Sequence, residues 1–421
     1  MRKFVILLAI LPLCNFILGQ SKNVFLDRIY WKNNPSIEQI KKDINSGNDI
    51  AALNAHKFDG VVWAILEKVD NSVIQYILEK EGNDANKITH DGRTYIFWAA
   101  YKNNLTLMEH LLKKGAKTDI IDAHGYSIMN FAAVTGQINP ALYDFCIRNG
   151  ADVLKEKSKD GASPLILLMP HLDSTEFITY FTDKGLFIRD VDNNGNNAFV
   201  YASQLGNLTV LKYLIKEGIN PNANNDYAMI RASQGGRNKV NDLEVFQFLK
   251  NAGVSPLAIS KEGQNALHSI AKTSDLTEVV DFFIAQNIDL NKADEKGKTP
   301  LVNAIEYNNL EMIMYFISKG ADPEIVLKNG NTILHVAIQL GDKKILEYVS
   351  SLVNDLNIKN NDGLSPLHFA AMNSSNDILL KLLISIGADK TLKTEFGETA
   401  FDLASENELL ASANVNLTFL K

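Results

Sequence analysis

The sequence predicts an all-α repeat solenoid, in which helix–turn–helix units stack side by side and are joined by β-hairpin fingers. Three observations carry this. First, a glycine followed by a short helical pattern recurs at Gly60, Gly92, Gly125, Gly161, Gly195, Gly263, Gly297, Gly330, Gly363 and Gly397, at intervals of 32, 33, 36, 34, 68, 34, 33, 33 and 34 residues. Second, each glycine leads into a first short helix, a polar turn and a second amphipathic helix. Third, 421 residues of globular composition exceed what one compact core usually holds. One helix pair cannot bury its own apolar face, but stacking buries each face on the next unit and leaves only the ends to be capped.

The elements follow in order. Residues 1–20, "MRKFVILLAILPLCNFILGQ", have Arg2 and Lys3, then an apolar run from Phe4 to Leu13, and read as a secretory signal peptide. The competing reading is a lipid anchor through Cys14, which has Leu13 where a small residue is wanted. Removing the segment takes the formal charge from −7 to −9, because Arg2 and Lys3 go with it. No later stretch is long and apolar enough to span a bilayer. Residues 21–59 read as a degenerate N-terminal capping unit. The array then runs over 60–396, and 397–421 form a polar C-terminal cap. Within the array, Cys146 lies in "ALYDFCIRNGAD", on the apolar side of a helical pattern, and reads as an inert buried residue. It is the one cysteine left after residue 20, so packing alone must hold the chain together. In unit 161–194, Pro170 and His171 interrupt the first helix. The interval of 68 hides a unit with Asn225 in the glycine position, a shortened hairpin and the extra residues "GGRNKVND".

The later units are the most regular. "KGKTPLVNAIEYNNLEMIMYFISKGADP" starts at Lys296, "NGNTILHVAIQLGDKKILEYVSSLVND" at Asn329 and "DGLSPLHFAAMNSSNDILLKLLISIGAD" at Asp362. Gly150, Gly320 and Gly387, in "NGADV", "KGADP" and "IGADK", suit helix C-termini. This pattern strongly resembles the ankyrin repeat, with its G-x-T-P-L-H-x-A-A signature and G-A-D some twenty residues on. The resemblance covers nearly everything from Val24 to Asn414.

Several motifs compete with the repeat reading. "DVDNNG", from Asp190 to Gly195, has the spacing that opens a calcium loop. The twelfth position, where a bidentate carboxylate is required, is Tyr201, so the segment reads as a finger. His268, His335 and His368 fall at one position of separate repeats, and the resemblance implies structural hydrogen bonds rather than metal binding. Ser269 and Lys272 have the S-x-x-K spacing of a serine acyl enzyme, but no companion S-D-N or K-T-G element accompanies them in a suitable fold. Trp31, Trp63 and Trp98 read as packing residues. There is no phosphate-binding glycine loop and no basic run, so nucleic acid is not an expected ligand, and no cofactor or metal is expected.

The resemblance implies a concave face built from finger tips and the exposed side of the first helices. Carried over by position, the protein-binding candidates are Arg93, Tyr101, Lys102, Tyr126, Gln204, Leu205, Lys272, Lys298, Glu306, Tyr307, Asn331, Gln339, Leu340, Leu364, Met372 and Asn373. A mixed aromatic and polar surface suits a protein partner. The expectation is a monomeric, non-enzymatic scaffold, exported to the periplasm or cell exterior, that binds an unidentified protein. A dedicated inhibitor or protector of a co-exported enzyme is the nearest alternative. A serine acyl enzyme using Ser269 and Lys272 is the alternative from another class.

Overall fold

A computed structural model describes residues 23–237 and 240–421. The expected signal peptide, Cys14 included, lies outside the described residues. The described residues form twenty-four α-helices and four 3₁₀ turns, and the fold is an all-α repeat solenoid. Among the described residues, the fingers carry only two isolated antiparallel bridges, Val191 with Asn197 and Val326 with Thr332. They are tight turns rather than ladders.

The chain divides into two compact units. Of the described residues, the first takes in those up to Ala132 together with Ala141–Asp152; the second comprises Ala133–Pro140 and those from Val153 to Lys421. Each is built by stacking first helix on first helix. In the second unit, Pro300–Glu306 packs on Ile333–Leu340, which packs on Pro366–Asn373, which packs on Ala400–Glu406. A first helix is enclosed by two neighbours and its own partner, so the run Ile333–Ile338 is buried throughout. A second helix has one outer side, and in Lys343–Ser350 only Ile345, Leu346 and Val349 are buried. In the first unit the core includes a polar knot. Asp59 is fully buried, accepts a hydrogen bond from the Tyr95 hydroxyl at 2.7 Å and pairs with Lys87 at 2.8 Å.

The recurrent "TPL" and "SPL" explain themselves at the helix starts. Thr299 and Ser365 cap the first helices, and Pro300 and Pro366 take the first turn, where the missing N–H has no intrahelical partner to lose. An asparagine opens many second helices and also ties repeats together. Asn309 accepts from Met312 N and donates to Ala271 O; Asn407 accepts from Leu409 N and donates to Ala371 O and Ser374 O. Within the extra residues "GGRNKVND" the donation to a neighbouring repeat is kept, with Asn241 donating to Ser203 O and Ala232 O. The insertion therefore does not break the stack.

One sequence expectation about the repeats needs correction. Gly60 is not a turn glycine. It opens the helix Gly60–Leu66, and a Cβ there would meet the Trp31 ring at 2.8 Å, so glycine is required for space. The finger of that unit is Asn54–Phe58, closed by Asn54 N to Phe58 O, with Lys57 at φ 60° in the glycine's place. At Pro170 the first helix is interrupted, as the sequence predicts. Pro164–Leu168 continues into a 3₁₀ turn, Met169–His171, in which Pro170 is buried.

Candidate protein-binding surfaces

Most fingers share one design, and the sequence spacing follows from it. Three residues before the turn glycine stands a short oxygen-bearing side chain whose oxygen accepts backbone N–H groups from the turn. Asp294 Oδ1 accepts from Lys296 N at 2.8 Å and Lys298 N at 2.9 Å; Asn360 Oδ1 accepts from Asp362 N and Leu364 N, both at 3.0 Å. The finger of Gly330 departs from this design, with Leu327 three residues before the glycine and Asn329 Oδ1 accepting from Asn331 N instead. Hydrogen bonds of this kind satisfy a chain reversal that has no strand partner.

The segment at Asp190 is one of these fingers. Asp192 Oδ1 accepts from Asn194 N and Asn196 N, and its Oδ2 accepts from the Asn196 amide at 2.8 Å and the Tyr201 hydroxyl at 3.0 Å. Burial and the Asp192 carboxylate push the Tyr201 phenol well above its ordinary range. Tyr201 thus donates to the aspartate that a calcium loop would need free. Among the described residues no cluster of histidine, cysteine, aspartate and glutamate could hold a metal.

His268, His335 and His368 each clasp the next repeat. Their Nε2 atoms meet Lys298 O at 3.1 Å, Leu364 O at 3.1 Å and Leu392 O at 3.0 Å. Of Ser269 and Lys272, the lysine turns to an aromatic ring: its ammonium lies 5.1 Å from the Tyr307 ring centroid.

The predicted binding residues separate by burial. Arg93 is only 7% exposed and leaves the set. Its guanidinium bonds Asp122 Oδ2 through Nε and Nη2, both at 2.8 Å, and lies over the Phe131 ring at 4.2 Å. Asn331, 8% exposed, also leaves it, because its Oδ1 accepts from Asn360 Nδ2 at 2.8 Å. Tyr101, Lys102, Tyr126, Gln204, Leu205, Lys298, Leu340 and Leu364 are half-buried. Gln204 is tied to Gly235 O at 3.0 Å. Burial holds the Lys102 ammonium below its ordinary value. Lys272, Glu306, Tyr307, Gln339, Met372 and Asn373 are exposed. Tyr307 and Met372 reach 49% and 48%. Lys298 pairs with Glu306 at 2.6 Å, so Lys272, Lys298, Glu306 and Tyr307 form one group at the ends of the first helices.

Other surfaces escaped the sequence reading. In the first unit Phe58 stacks on Trp63 at 4.5 Å and on His90 at 4.4 Å, with Arg28 over the Trp63 ring at 5.5 Å. Trp31 and Trp98 are buried as expected, whereas Trp63 is half-buried and its Nε1 has no acceptor among the described residues. Phe396, beside the turn glycine Gly397, is 88% exposed. The last is a cleft of about 390 Å³ in the second unit, where the unit of Asn225 has no finger. The signal for it was present in the sequence, as an asparagine where the glycine belongs.

Comparison with known proteins agrees with this geometry. The family model described as "Ankyrin repeats (3 copies)" matches residues 61–153, 139–225, 229–326, 277–351, 315–394 and 334–416. The phosphocholine transferase AnkX of Legionella pneumophila is 28% identical over 166 residues, covering 38% of this chain and 17% of that protein. The ankyrin repeat protein nuc-2 of Neurospora crassa is 24% identical over 151 residues, 36% of this chain and 14% of its own. The NAD-dependent deacetylase sir2B of Dictyostelium discoideum is 23% identical over 253 residues, 52% and 31% respectively. The chain spans less than a third of the length of each of these relatives.

Proposed function

This chain belongs to the ankyrin-repeat family, whose fold is a protein-interaction scaffold, and we propose that it acts as a non-enzymatic scaffold that captures a protein partner. The observation carrying this is the set of residue pairs Glu306 with Tyr307, Gln339 with Leu340 and Met372 with Asn373, which occupy equivalent first-helix positions of three stacked repeats. A tyrosine, a leucine and a methionine set among Glu306, Gln339 and Asn373 have the composition of an interface core with a polar rim. The Lys272 ammonium over the Tyr307 ring holds that ring in place. Holding an anchor before binding lowers the entropy that binding must overcome.

The site of action we propose is the periplasm or cell exterior, reached through the N-terminal segment. Fractionation followed by N-terminal sequencing tests this, with a mature start near residue 20 as the expected result. Full-length protein recovered in the cytoplasm contradicts export.

The binding row is tested by identifying the partner through affinity purification and mass spectrometry, then measuring its affinity for Tyr307→Ala. The expected loss is about tenfold or more, with a melting curve nearly unchanged. Equal affinity removes this row as the binding face. A covalent serine probe that labels Ser269 would reinstate the acyl-enzyme reading.

A further inference from the structure

Among the described residues, four pairs of successive fingers in the second unit are joined through their backbones by one repeated hydrogen bond, while the last pair, at Gly363 and Gly397, is stacked without it. The N–H two residues before a turn glycine donates to the carbonyl one residue before the preceding turn glycine. Asn193 N reaches Asp160 O at 2.8 Å, Glu295 N reaches Glu262 O at 2.9 Å, Lys328 N reaches Lys296 O at 3.2 Å and Asn361 N reaches Asn329 O at 3.1 Å.

At residues 222–226 the series is broken. Instead of a finger, Asn224, Asn225 and Asp226 make a left-handed turn, at φ 51°, 55° and 63°. Asparagine and aspartate are the non-glycine residues that accept this conformation best. The turn keeps the chain short, and the space of the missing finger is the cleft whose lining includes Asn194, Asn196, Asn225, Tyr227, Lys261 and Glu262, the last with its carboxylate held by the Ser260 hydroxyl at 2.8 Å. By the repeated pattern, the Asn194 carbonyl and the Lys261 N–H should be bonded to that finger. Among the described residues neither has a backbone partner. The Lys261 ammonium reaches across to Asn194 Oδ1 at 2.6 Å instead.

The first helix behind the gap bears the same mark. In the preceding repeat the residue six after the turn glycine, Tyr201, donates to the finger's Asp192. In the first unit the equivalent Trp98 donates its Nε1 to Thr89 Oγ1 at 2.8 Å. In the fingerless repeat this position is Arg231, whose guanidinium lies 5.2 Å from the Tyr201 ring centroid. Its Nε is closed off from solvent and has no acceptor among the described residues. Asn222, at the position of the finger oxygen, is turned away and donates to Gly253 O. A buried donor without an acceptor costs about 1–3 kcal/mol, and more when charged.

We propose that this cleft receives a turn of a partner protein bearing an aspartate or glutamate, which completes the row of fingers from outside the chain. Its backbone engages the Asn194 carbonyl and the Lys261 N–H, and its carboxylate engages Arg231. A free small carboxylate would satisfy Arg231 alone and leave both backbone groups open, so a peptide turn is the better fit. The proposal rests on the reading of the chain as a protein-binding scaffold.

The test uses a fluorescent cyclic peptide copying this chain's own finger, residues 289–300, titrated against the full chain by anisotropy. Binding near about 10 µM is expected. It should weaken about tenfold or more when the peptide's Asp294 is replaced by asparagine, and similarly in the Arg231→Gln protein. The peptide change leaves the protein intact, so it decides the matter even where Arg231→Gln disturbs folding. No binding up to about 1 mM overturns the proposal. So does binding indifferent to the Asp294→Asn peptide, or displacement by succinate as effective as by unlabelled peptide. Tyr307→Ala should leave peptide binding unchanged, so this inference and the reading it rests on fail separately.

Discussion

The His335 ring bridges two repeats: its Nδ1 accepts from the Thr332 backbone N–H at 3.2 Å, and its Nε2 meets the Leu364 carbonyl at 3.1 Å. Because Nδ1 accepts, Nε2 carries the proton and donates. The ring is therefore held neutral in one tautomer, and a second proton has no place to go without breaking the first bond.

This arrangement makes the array acid-sensitive. Burial lowers the pKa of His268, His335 and His368 below the ordinary 6.5. The unfolded chain takes up these protons at about pH 6.5 and the folded chain only at lower pH. The contribution of the neutral rings is therefore complete above pH 6.5 and is lost as pH falls through that value towards the folded pKa. Melting curves should shift down between about pH 7.5 and pH 5.5. His335→Gln should melt lower at pH 7.5 and show a shallower pH dependence. An unchanged slope would mean that these rings do not govern the transition.

Asp192 should matter for folding and not for calcium. Its two oxygens accept four hydrogen bonds inside the protein. Asp192→Ala leaves those donors unsatisfied, which should cost about 1–3 kcal/mol. Calorimetric titration of the unaltered protein with calcium should give no micromolar event. A micromolar event abolished by Asp190→Ala would reverse this assignment.

Arg93 behaves as a core residue. Removing one partner of a buried, hydrogen-bonded ion pair typically costs about 3–5 kcal/mol. Arg93→Ala should therefore destabilise the first unit by about 3 kcal/mol, because it strands the buried Asp122 carboxylate. Urea denaturation followed by tryptophan fluorescence reads this directly, since Trp31, Trp63 and Trp98 all belong to that unit. A variant as stable as the parent would return Arg93 to the surface.

Hydrogen exchange should be faster over 222–262 than over 297–396. The latter stretch has fingers joined by backbone bonds and two histidine clasps, whereas the former has neither a finger nor a clasp of its own. Uniform protection along the second unit would contradict this.

The repeat frame was legible because it is written in residues with one physical reason each. Nine turn glycines from Gly92 to Gly397 adopt positive φ, and the threonine and proline of "TPL" mark a helix start. Gly60 misled because a glycine chosen for space under Trp31 has the same letter as one chosen for φ, while Lys57 took the turn without signalling it. Arg93 and Asn331 misled for another reason. Position within a repeat places a side chain at the surface, but whether it folds back depends on partners in the next repeat, Asp122 and Asn360. Both pairings join the residue after one turn glycine to the residue three before the next, 29 positions on, and Gln264 with Asp294 repeats the arrangement, so it emerges only when successive fingers are compared. The fingerless cleft was visible as an irregularity at Asn225, but its meaning required seeing which bonds its neighbours make.

The gap at residues 222–226 also has a mechanical consequence. Where fingers are bonded backbone to backbone, bending meets stiff resistance on that side of the stack. Between Asn194 and Lys261 the link is one flexible side chain bonded to another. A bending load on the second unit therefore concentrates at this joint, and the fingers on either side move as two stiffer segments. The opening between Asn194 and Lys261 widens or narrows with the bend, so tension along the unit and occupancy of the gap are coupled variables.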